Sequence, residues 1–195
     1  MTTRSLAHRA WTAGSLRGAP AGVVAVLGLI GLLLRSSILT LPSETRVLAL
    51  AMLFVAIAFV ALRAPVPAST ARTRPAVVLA VGAGAVLITT AAVAPVAPAP
   101  LGPWALPLAL LAAVAEEALF RRALYGWLEP IGPAVAVAAT AAAFALLHLP
   151  LYGTSALPVD LGAGLLLSWQ RWASGTWTVP AATHGLANVL AVSLR

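Results

Sequence analysis

Residues 110–124 read LLAAVAEEALFRRAL: two adjacent carboxylates, Glu116 and Glu117, stand in the middle of an apolar run, with Arg121 and Arg122 behind them. An ionisable side chain at bilayer depth costs roughly 2.5 to 3.5 kcal/mol on insertion scales, so such groups face a protein interior or a wet cavity. On a helix Glu117 and Arg121 lie at i and i+4 with the acid first, the favourable order for a pair. Glu116 is rotated about 100° from that face, which leaves it free to act as a general base. The competing reading is a buried ion pair that only fixes helix packing.

Working outward from this run, the rest of the chain is equally apolar. Of its 195 residues 61% are hydrophobic and 9% charged, and the mean hydropathy is +0.98. That composition excludes an ordinary soluble domain and describes a polytopic membrane protein. The 12 basic residues are all arginine, set against Glu44, Glu116, Glu117, Glu129 and Asp160. They are scattered among loops rather than gathered on one face, which argues against a nucleic-acid partner. Cysteine is absent, so disulfides, a thiol nucleophile and thiolate metal ligands are excluded.

Apolar runs separated by charge and proline give seven candidate spans, at 20–34 (continuing towards 41), 47–62, 76–94, 104–128, 134–149, 157–169 and 178–193. The yardstick is the ~20 residues a helix needs to cross a bilayer. The expected fold is therefore an all-α polytopic transmembrane helical bundle of about seven spans. The first span is read as uncleaved, because no small-residue cleavage site follows it. Residues 1–103 form a basic N-terminal tail and three spans, and 104–195 a second region of four spans. Residues 63–75 and the proline-rich 95–103 read as connectors. Gly22, Gly28 and Gly31 suit close helix approach, and the turn at 129–133 joins the fourth and fifth spans into a hairpin. With the N-terminus inside, the inner side holds Arg4, Arg9, Arg17, Arg63, Arg72, Arg74 and Arg171, and the outer side Arg35, Arg46 and Arg195. That asymmetry places the N-terminus in the cytoplasm.

In the hairpin, at 1.5 Å per residue, Glu116 stands roughly 18 Å and His148 roughly 22 Å above the turn. Helices packed 8 to 10 Å apart, roughly, would bring these two side chains to one water molecule. His184 and Asn188 lie at i and i+4 on the last span and share a face. Taken singly, His148 reads as a hydrogen-bonded packing residue, Phe144 as core, and Asn188 as interhelical glue. Asp160, near a span end, reads as a helix N-terminal charge.

Three motifs in order carry a resemblance. Glu116, Glu117 and Arg121 resemble the EExxxR motif of CPBP-type intramembrane proteases, the Abi group related to CAAX prenyl endopeptidases; Phe144 and His148 resemble their FxxxH motif, and His184 and Asn188 their HxxxN motif. The likeness covers about residues 111–190. It implies peptide-bond hydrolysis inside the membrane, with Glu116 and His148 activating water, His184 and Asn188 binding the oxyanion, and Glu117 pairing with Arg121. Family members are commonly labelled metalloproteases. If a divalent metal such as zinc is present, Glu116, His148 and His184 are its ligands. HExxH is absent, and metal-independent glutamate catalysis with no required cofactor is the preferred reading. The implied partners are a membrane-associated protein or peptide substrate and the lipid bilayer. The arginine-only, alanine-rich composition suggests a bacterial inner membrane. Two rival classes are a non-catalytic immunity or peptide-binding protein and a small proton-coupled transporter. Against the transporter stands the lack of an internal repeat.

Overall fold

The computed structural model describes the backbone of residues 3–66, 69–92 and 102–194, and the side chains within these from residue 20 onward, Ala92 excepted. The described residues are mostly helical, with an irregular connection in the 64–74 stretch and short turns elsewhere. The helices are α1 (Thr3–Ile38), α2 (Ser43–Arg63), α3 (Pro75–Ala92), α4 (Gly102–Leu128), α5 (Pro133–Tyr152), α6 (Leu157–Ser174) and α7 (Thr178–Ser193). Each predicted span is one helix, and the bundle is all-α as expected. Residues 20–38 of α1, with α2, α4 and α5, are long and apolar enough to cross a membrane. The predicted connector at 95–103 lies mostly outside the described residues.

Several boundaries differ from expectation, with α2 beginning at Ser43 and α6 running on to Ser174. α1 begins at Thr3, so helix extends through the predicted N-terminal tail and past Pro20. α5 does not stop at Pro150 but runs to Tyr152. Its end is set instead by Gly153, whose φ of 76° is a left-handed conformation that a glycine takes without strain and whose N–H bonds the Leu149 carbonyl.

α4 is the central helix, contacting α1, α2, α5, α6 and α7, while α3 packs at the side against α6 and α7. Val23, Leu27, Leu48, Met52, Phe59 and Ile88 are exposed, the apolar exterior expected of helices bathed in lipid. Small residues fill the helix contacts, with Ala25, Ala61, Ala115, Ala118 and Ala123 fully buried. A Cβ on Gly28 would stand 2.3 Å from Leu119, and one on Gly22 2.9 Å from Trp127. These glycines therefore do let α1 approach α4. Between α5 and α6, Gly164 lies against the Ala141 backbone, and Thr140 and Ser168 hydroxyls bond at 2.9 Å. Gln170 ties three helices, donating to the Val78 carbonyl at 3.0 Å and the Thr183 hydroxyl at 2.9 Å.

Candidate active site

α4 is not a uniform α-helix. It is α-helical over Ala105–Glu117, opens into a π-helical segment over Ala118–Leu124, and closes in α geometry at Tyr125–Leu128. π turns inside α-helices are rare and occur frequently at functional sites. This one begins immediately after the two glutamates and carries both arginines. One of its carbonyls, that of Arg121, accepts a bond from Arg171 Nε on α6 at 2.9 Å.

Glu117 and Arg121 pair as the spacing predicts, with Nη1 donating to Oε1 at 2.9 Å and both side chains fully buried. Arg121 also donates through Nη2 to the Gly164 carbonyl at 3.2 Å, and its guanidinium lies 4.7 Å from the centre of the Phe144 ring. The same Oε1 takes a second bond, from His184 Nδ1 at 2.9 Å. Glu117 thus joins α4 to α7. Arg122, which the motif leaves without a role, donates to the Ala61 and Ala64 carbonyls. It places a cation at the C-terminal end of α2, where the helix dipole favours one.

Glu116 is 2% exposed and meets two partners. Its Oε2 lies 3.8 Å from His148 Nε2, so the hairpin brings these side chains to one depth as the helical rise predicts. His148 Nδ1 donates to the Phe144 carbonyl at 2.8 Å. Since a carbonyl can only accept, Nδ1 carries a proton, and in the neutral ring Nε2 is the acceptor facing Glu116. The expectation that Glu116 is free of a charged partner is corrected. Arg35 Nη1 on α1 donates to its Oε1 in a buried salt bridge. Arg35 was placed among the outer loop arginines. In the fold it is only 8% exposed, because α1 continues as helix to Ile38 and carries it inward.

Phe144 packs between the two histidines, its ring centre 4.3 Å from that of His148 and 5.8 Å from that of His184. Asn188 Nδ2 donates to the Ala109 carbonyl on α4 at 2.8 Å, the interhelical use of an amide that was one of its two readings. Asp160, given no role from sequence, interacts electrostatically with His148, Glu116 and Arg35. Asp160 stands in the first turn of α6, the helix N-terminal charge expected of it, and Arg35 is the residue of this cluster that sequence reading missed. For Arg35 a signal existed in the apolar residues beyond it, which continue the span to Leu41.

The proposed metal set does not fit a metal as arranged. Among the described residues no three His, Asp or Glu side chains converge as ligands. Arg35 holds one oxygen of Glu116, and Glu117 holds Nδ1 of His184.

This is a buried Glu and His pair with a second His and an Asn on a neighbouring helix, set within apolar helices. Residues 98–190 match the family described as type II CAAX prenyl endopeptidase Rce1-like. The matched region belongs to this CPBP and CAAX protease-like family of intramembrane proteases, and the chain is a multi-pass membrane protein. The match begins in the connector before α4 and ends within α7, so α1, α2 and α3 lie outside it. No curated protein and no solved structure shows significant similarity to the chain.

Proposed function

We propose that the protein is an intramembrane endopeptidase that hydrolyses a peptide bond of a membrane-associated protein or peptide. The observation that carries this reading is the 3.8 Å approach of Glu116 Oε2 to His148 Nε2, two acceptors side by side that can take both hydrogens of one water molecule. Water attacks the scissile carbonyl carbon as its proton passes to this pair. His184 and Asn188 donate to the oxygen that becomes negative, and the proton is then returned to the departing amine as the C–N bond breaks. In that role His184 carries a proton on each nitrogen, Nδ1–H donated to Glu117 and Nε2–H to the oxyanion. Asn188 keeps one amide hydrogen beyond its bond to Ala109. Since the metal set does not converge, no step is routed through a metal. The location we infer is a bacterial inner membrane, with the N-terminus in the cytoplasm.

A second reading, a peptide-binding immunity protein without turnover, is favoured by the purely structural bond of Asn188 to Ala109. The two separate when purified protein is incubated in ¹⁸O-labelled water with a library of membrane-anchored peptides, with and without chelator. The protease reading predicts shorter products with one ¹⁸O at the new C-terminus, formed equally in chelator. His184→Ala and Asn188→Ala each slow their formation by roughly 10² to 10³. Intact peptides that remain bound would support the second reading, and products lost with chelator would restore the metal.

A further inference from the structure

The salt bridge that the family motifs do not contain comes from a helix that the family match does not cover. Arg35 is on α1, 81 residues before Glu116, whereas the match begins at residue 98. Its side chain is buried to about the same degree as the catalytic candidates, at 8% exposed beside 7% for His148 and 2% for Glu116. A buried guanidinium is costly unless its donors are used. Yet Nη1 alone has a partner, Glu116 Oε1, and Nε and Nη2 are buried without one. A residue selected only to hold helices together would bond the abundant backbone carbonyls, as Arg122 does at the end of α2. Arg35 instead holds the single oxygen of Glu116 that does not face His148.

That division of the carboxylate has a geometric consequence. A glutamate side chain has three torsions, and a terminal carboxylate turns readily about the last of them. With Oε1 fixed from α1, the carboxylate plane is set and Oε2 is directed to His148 Nε2. We propose that Arg35 is the positioning residue of this site: it fixes the Glu116 carboxylate so that one oxygen faces His148, and so makes α1 a part of the active site. The proposal rests on the protease reading for its kinetic consequence, while the orientation it assigns is testable without turnover.

The test uses full-length protein in detergent and four variants: Glu116→Gln, Arg35→Lys, which keeps the charge and loses the planar fork, Arg35→Gln, which loses both, and Arg35→Ala. The infrared carboxylate bands of Glu116 are assigned from the difference between wild type and Glu116→Gln. In Arg35→Lys and Arg35→Gln these bands are expected to move. On any anchored peptide that wild type cleaves, kcat of Arg35→Gln is expected to fall by roughly 10²-fold with KM little changed, the signature of misplacement rather than lost binding. Added guanidinium ion is expected to restore part of kcat to Arg35→Ala, which it would not do for a helix-packing defect. Glu116 bands unmoved in both Arg35→Lys and Arg35→Gln would overturn the proposal, as would wild-type kcat in both while Glu116→Gln is inactive. Equal cleavage by wild type and Glu116→Gln would instead remove Glu116 from catalysis, and peptides left intact by wild type would sink the protease reading; in either case the infrared bands decide whether Arg35 orients the carboxylate.

Discussion

At the scale of single residues, Glu117 is the junction of the site. One of its oxygens accepts from Arg121 and from His184, each at 2.9 Å, in a place with no access to solvent. Removing one partner of a buried pair leaves an uncompensated charge and typically costs roughly 3 to 5 kcal/mol. Arg121→Met is therefore expected to lower stability by about that amount in denaturant unfolding of detergent-solubilised protein. Arg122→Met, which frees only backbone carbonyls at the end of α2, is expected to cost roughly 1 to 3 kcal/mol. Equal losses would contradict the ranking. The Glu117 to Arg121 bond was legible because its partners lie one helical turn apart in sequence. His148 was legible because the hairpin turn fixes its depth against Glu116. Arg35 was not, since nothing in local periodicity links it to a carboxylate 81 residues away, and an arginine after an apolar run resembles an interfacial anchor.

At the scale of elements, all seven helices could be read from apolar runs and the prolines and glycines between them. The π segment of α4 could not. A widened turn has no composition of its own, and the Glu117 to Arg121 spacing survives it. Its effect is on what the helix presents: Arg121 reaches Glu117 and Gly164, while the next residue, Arg122, turns to α2. Close packing of α5 on α6 keeps Gly164, and with it the carbonyl that Arg121 uses, in place. A Cβ at Gly164 would meet the Ala141 carbonyl oxygen at 2.8 Å and its Cα at 3.0 Å, backbone atoms that cannot step aside cheaply. Gly162, two residues earlier, faces open space. Gly164→Ala is expected to destabilise by roughly 1 to 3 kcal/mol through overpacking. Gly162→Ala should leave the melting temperature unchanged or slightly raised, as a helix glycine replaced by alanine. A similar loss in both would show that close approach is not the reason for Gly164.

At the scale of the whole molecule, the helix directions gather the arginines at one end. The α2 to α3 connection, the turn after α4 and the end of α6 share this end, with Arg63, Arg72, Arg74 and Arg171. With Arg35 drawn into the site, Arg46 is the arginine that remains opposite among the described residues, which sharpens the expected cytoplasmic N-terminus. The cysteine-free sequence allows single-cysteine mapping. Ile131→Cys, in the turn after α4, should be shielded from an impermeant maleimide in intact cells, and Ser43→Cys, at the start of α2, should be labelled. The reverse pattern would invert the topology. His148, Arg35 and Asp160 all lie within a turn or so of helix ends on the side of Ser43, so the same mapping sets the face towards which the polar cluster lies. What joins these scales is the claim that Glu116, held by Arg35 and facing His148, activates water for peptide hydrolysis. The most direct test is cleavage of a membrane-anchored peptide library by wild type and by Glu116→Gln, compared at matched folding and loading. The account predicts products from wild type and a fall of at least roughly 10²-fold in the variant, the usual contribution of a general base; equal cleavage by the two would contradict it.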